Sequence, residues 1–84
     1  LKEVPQRLAA YLLVLSKIGD KNDMVELDIA KGQLASLIGT IPETLSRILN
    51  KMSGQRIIEV EGRQIKLLDR KSLESISLGE KLLV

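Results

Sequence analysis

The sequence predicts an α+β domain, a winged helix-turn-helix with a three-helix core, a β-hairpin wing and a short C-terminal helix. Three observations carry that prediction. Helical apolar spacing over residues 31–38 is followed, after a glycine-containing break, by a second helical stripe over 42–52. Two alternating stretches, 56–60 and 64–68, then flank a short glycine turn. A further amphipathic stripe precedes all of these, over residues 4–17.

The first helix is predicted for 4–17. Pro5 suits its opening turn, and Leu8, Ala9, Leu12 and Leu15 recur at three- and four-residue spacing, with Leu13 widening the stripe. A polar loop, 19–23, leads to a short strand over 24–29, with Val25, Leu27 and Ile29 on one face and Glu26 and Asp28 on the other. Helix 31–38 turns Leu34, Ala35, Leu37 and Ile38 inward, and Gly39 suits its end, where a left-handed backbone is needed. Ile41, Leu45, Ile48, Leu49 and Met52 form the apolar stripe of helix 42–52, which Ser53-Gly54 is expected to stop. Small Ala35 lets these two helices cross closely, locked by Leu34, Ile38, Ile41, Leu45 and Ile48. Glu61-Gly62-Arg63 turns the hairpin, and Asp69 caps a last helix to about Ile76. Residues 78–84 fit either a frayed tail or an added edge.

Eighty-four residues make one domain, and 44% apolar content supports one modest core. Tyr11 is the sole aromatic, so the core is aliphatic, and the stacking platforms of single-strand nucleic-acid binders are missing. The absence of Cys and His removes disulfides, the usual zinc sites and thiol or imidazole catalysis. The serines have no His to activate them, the acidic residues lack calcium-loop spacing, and no glycine-rich phosphate loop is present. The expectation is a binding domain, not an enzyme, with no cofactor and no metal. No apolar run reaches the roughly 18 residues of a membrane span, and 8–15 reads as a buried helix and not a signal peptide. A cytoplasmic location and no membrane partner follow as expectations. The chain opens on Leu1 instead of Met, as a fragment or processed product would.

The net charge of +2 says little, but its distribution says more. Residues 31–56 hold Lys31, Arg47, Lys51 and Arg56 against Glu43 alone, while 1–30 are net acidic and 57–84 balance. An anionic partner is therefore expected at the helix-turn-helix. There the second helix of the pair enters the major groove of double-stranded DNA. Glu43, Arg47 and Asn50 stand at i, i+4 and i+7, opposite the apolar stripe. Arg47 suits guanine O6 and N7, and Glu43 suits cytosine N4. The same pair can interact along the helix, fixing Arg47 in a readable pose. Glu43 has a competing role, since Thr40 and Glu43 have capping-box spacing. Ser46 joins the base-reading set. Lys31, Gln33, Thr44 and Lys51 are the expected phosphate contacts, with Arg63 at the wing tip. The competing architecture is a winged helix used for protein contact without base readout, which would need an exposed apolar patch that the polar face of 42–52 does not supply.

The segment GQLASLIG-TIPETLSRILNKM, followed by GQRIIEVEGRQIKLLDRKSL, resembles the C-terminal DNA-binding domain of the Crp/Fnr family of bacterial transcription regulators. The resemblance covers nearly the whole chain and is most specific over ETLSRIL. It implies that Glu43 and Arg47 read a G·C pair in each half-site of a palindromic operator. It also implies a full-length homodimer, with an effector-binding β-barrel and a dimerisation helix that this sequence does not contain, and RNA polymerase as a further partner. Ser46-Arg47 is more similar to the fumarate–nitrate and nitric-oxide regulator branch than to the cyclic-AMP receptor branch. Pro42 stands where the cyclic-AMP receptor has a base-contacting Arg. Ile41 replaces the usual Ser or Thr, so either Thr40 caps the helix or its first amides go uncapped. Ala30-Lys31 replaces Thr-Arg at the start of the preceding helix.

Overall fold

A computed structural model describes residues 3–19 and 23–83; Asp20 to Asn22 of the predicted polar loop lie outside them. The elements run α1 (Val4–Ile18), β1 (Met24–Glu26), α2 (Lys31–Ile38), α3 (Pro42–Gly54), β2 (Ile58–Glu61), β3 (Gln64–Leu67) and α4 (Arg70–Ser77). The strands form one antiparallel sheet in the order β1-β3-β2. One aliphatic core joins Leu8 and Leu12 of α1, Leu34 and Ala35 of α2, Leu45 and Met52 of α3, Ile58 and Ile65 of the hairpin and Leu73 and Ile76 of α4. The wing is therefore anchored in the same core as the helices.

Period-two alternation sets the two faces of the sheet. Val25, Ile58, Ile65 and Leu67 are buried, while Glu26, Glu59, Glu61, Gln64 and Lys66 are exposed. Glu61 pairs with Gln64, so the hairpin closes in two residues, Gly62-Arg63, and not the three predicted. Gly62 takes φ +60, which suits the first central position of a primed hairpin turn.

Four further expectations are corrected. The strand predicted for 24–29 pairs only over Met24–Glu26. The Leu27 N–H reaches the carbonyl of Arg63, already in the hairpin turn, and no partner strand continues beyond it. Leu27 and Ile29 still point inward, so the alternation of faces persists beyond the paired strand. Ser53-Gly54 does not stop α3, which runs through Gly54. The reversal falls on Arg56, at φ +59, where Arg56 N–H bonds to Ser53 O (3.0 Å) and Ile57 N–H to Met52 O (2.9 Å). Buried Ile57 draws the chain inward at that point. With Arg56 in the helix exit, β2 begins at Ile58, and β3 ends at Leu67 with Leu68 turned outward. Lastly, Leu37 and Ile41 are 62% and 58% exposed, because the α2–α3 crossing is filled by Leu34, Ala35, Ile38, Leu45 and Ile48 without them.

The α2–α3 turn is built from backbone bonds. Gly39 adopts φ +87. Its N–H reaches Ser36 O at 3.1 Å and the Thr40 N–H reaches Ala35 O at 2.8 Å, a Schellman closure. From α1, Arg7 Nε donates to the Ile38 carbonyl at 2.7 Å, placing a cation on the negative end of α2. At the C-terminal end, Asp69 caps α4, accepting from the Ser72 hydroxyl and N–H. Those bonds hold its carboxyl below the usual aspartate value. The described tail forms no edge strand: Lys81 Nζ donates to Ser72 Oγ at 3.0 Å and Leu83 packs against the core, while Leu82 is exposed.

Two stability outcomes follow. Arg7→Met keeps an apolar stem but removes the charged donor, and urea denaturation should show a loss of about 1–2 kcal/mol. A loss inside experimental error would mean the bond to Ile38 is not structural. Arg56→Gly relieves a left-handed conformation that disfavours side chains by about 1–2 kcal/mol, and its melting temperature should rise. A lower melting temperature would refute the strain.

Candidate nucleic-acid interface

The outward face of α3 is polar because the core takes Leu45, Ile48, Leu49 and Met52. Glu43, Ser46, Arg47, Asn50 and Lys51 are all exposed on it, and Thr44 is half-buried at its edge. Arg47 and Glu43 form an ion pair at 3.6 Å, one helical turn apart, with side chains 70% and 80% exposed. An ion pair so open to water stabilises a helix by only a few tenths of a kcal/mol. It places the guanidinium beside the carboxylate on the exposed face and leaves other guanidinium N–H donors outside the pair.

Ile41 is the N-cap of α3 and supplies no side-chain acceptor, and Pro42 has no N–H. Thr40 is therefore not the cap, and Glu43 is left free to pair with Arg47. The amides of Glu43 and Thr44 meet no capping side chain, so the positive end of the helix faces outward. The start of α2 is similar. Ala30 has no side-chain acceptor, and Gln33 Oε1 instead accepts from the Ala30 N–H at 3.2 Å. That bond leaves the Gln33 NH2 as its outward donor. Exposed Lys31 adds a cation at the end of α2 where the dipole already disfavours one.

Arg63 is exposed in the β2–β3 turn. The outer sheet face behind it is acidic: Glu26 and Glu61 flank Gln64 across the strands, and Glu59 sits beside Lys66. Negative charge on that face disfavours phosphates. The structure brings Glu43 and Arg47 together, exposes Ser46 and Lys51 on the same helix, and places Arg63 as the cation in the wing's turn. The sequence reading missed this acidic face, because it depends on β1 pairing with β3. The alternation of Val25 and Glu26 was its visible signal.

A family model described as the Crp-like helix-turn-helix domain matches residues 6–76. The chain belongs to that family. It is a sequence-specific DNA-binding domain of the Crp/Fnr type, in the winged helix-turn-helix fold. A probable transcriptional regulator flp of Lacticaseibacillus casei is 37% identical over 71 residues, covering 84% of this chain and 32% of that protein. The fumarate and nitrate reduction regulatory protein of Vibrio cholerae is 29% identical over 80 residues, covering 90% and 32%. Among solved structures, FixK2 of Bradyrhizobium japonicum superposes with a TM-score of 0.82 at 29% identity, covering 89% of this chain and 38% of that one. The chain thus spans about a third of the length of the curated relatives it matches. Among the described residues, no helix is long and apolar enough to cross a membrane.

The uncapped start of the Crp-like recognition helix gives a direct test. Ile41→Ser supplies the missing acceptor and should raise folding stability by about 1 kcal/mol in urea titrations. An unchanged or lower stability would show that the α3 amides are already satisfied.

Proposed function

We propose that this domain reads a G·C pair through Arg47 and Glu43 of α3, with Ser46 as the adjoining base contact. The observation that carries the reading is the exposed Arg47–Glu43 pair at 3.6 Å on the outward face of the recognition helix. Arg47 places two N–H donors on guanine O6 and N7, and Glu43 accepts from the N4 amine of the paired cytosine. Lys31, Gln33, Thr44, Lys51 and Arg63 take phosphate oxygens, which sets orientation and register but not sequence. The uncapped amides of α2 and α3 reinforce this, since helix N-termini favour anions. The domain works by binding and not by catalysis. Its relatives carry the names of transcription regulators, which supports a bacterial regulator working in the cytoplasm.

In this reading the full-length protein is a homodimer on a palindromic operator with a G·C pair in each half-site, and RNA polymerase is a further partner. On the same reading, an effector-binding domain and a dimerisation helix belong to the full-length protein. A single domain then binds one half-site weakly, because the linked second contact is missing.

Titration of the domain against duplexes with and without the G·C half-site, at several salt concentrations, tests the assignment. Arg47→Ala should lose about 1–3 kcal/mol and relax preference at one base pair. Lys51→Ala should weaken all duplexes alike and flatten the salt dependence. Parent-like binding of every duplex by Arg47→Ala would refute base reading at this position.

A further inference from the structure

We propose that Asn50 is a fourth base-reading side chain of α3, contacting an adenine close to the G·C pair read by Arg47; the proposal rests on that reading of the helix.

Asn50 continues the outward line of Glu43 and Arg47 and is exposed. A rise of 1.5 Å per residue places it about 4.5 Å beyond Arg47 along the helix, within about one or two base-pair steps. Gly54, the next residue on that line, has open space where a Cβ would stand, so no side chain rises beyond Asn50 at the helix end.

Asn50 has no structural work that accounts for it. Among the described residues, its amide is in no hydrogen bond. It lies mid-helix, eight residues after Pro42 and four before Gly54, too far from either end to cap. Asn is a weak helix former because its side chain competes for backbone hydrogen bonds, and a recurring surface residue such as Ala or Lys would serve α3 better.

Its chemistry selects the base. A side-chain amide offers one acceptor and one donor side by side, matching the N6 amine and N7 of adenine in the major groove. Guanine shows two acceptors there and leaves the Asn carbonyl unpaired. Arg47, a donor only, and Asn50, a donor and acceptor, thus fit different base edges, and together they specify a G·C pair and an A·T pair on one helix face.

The test is quantitative binding of the 84-residue domain to duplexes that keep the G·C pair and vary the neighbouring pairs. The parent should prefer A·T in one orientation at one position, by about 5- to 150-fold. Asn50→Ala should erase that preference and keep the preference for G·C. Asn50→Gln, which carries the same amide, should restore part of it. Replacing the adenine with 7-deazaadenine should weaken the parent and leave Asn50→Ala unchanged. Thermal melts confirm folding, which alanine at this exposed helical site favours. If Asn50→Ala keeps every base preference of the parent, or if 7-deazaadenine weakens both proteins equally, the Asn50 assignment is overturned while G·C reading by Arg47 stands. A parent domain with no G·C preference overturns both.

Discussion

The hydrogen bond from Arg7 to the Ile38 carbonyl lies where three helices must agree. Ile38 closes α2, Gly39 turns the chain through a left-handed residue, and three residues later α3 begins. Arg7 ties that corner to α1, and buried Leu34, Ala35 and Ile38 press α2 against α3. The direction of α3, and with it the outward face that carries Glu43 and Arg47, depends on this corner. Because the turn is closed by backbone bonds to Ala35 and Ser36, its geometry needs little from the side chains around it.

Several local rules of helix construction are broken on or beside the recognition unit. α2 and α3 start without a hydrogen-bonding N-cap side chain, as α1 also does, Lys31 sits at the positive end of α2, and Arg56 takes a conformation that favours glycine. By contrast, Asp69 caps α4, and every buried side-chain polar atom among the described residues has a hydrogen-bond partner. Departures of this kind concentrate where a surface is shaped for a ligand instead of for stability. Uncapped amides and cations both favour an anion, whereas the acidic outer face of the sheet disfavours one.

Much of this was legible along the chain. Helical spacing placed α1, α2 and α3, and the ETLSRIL segment placed Glu43 and Arg47 on the outward face, where they pair. The errors have a common origin. Ser53-Gly54 reads as a stop, yet the reversal comes at Arg56, because burial of Ile57 decides where the chain must turn. Leu37 and Ile41 fit the apolar stripes, yet both are exposed, because a helix crossing has room for only the central side chains. The strand at 24–29 carries the right alternation, but its length is set by where β3 enters its hairpin turn.

Sequence alone determined the kind of elements, their order, and the polar face of α3 with the side chains it exposes. These are local properties, set by the 3.6- and 2-residue periods and by side-chain chemistry. Only the tertiary structure decided that Thr40 does not cap α3, that β1 joins the wing as a third strand, that the outer sheet face is acidic, and that Arg7 holds the corner at Ile38. Each of those joins groups distant in the chain or depends on the residue at which a helix starts. Periodicity does not carry such information, because packing and hydrogen bonding settle it once the elements meet.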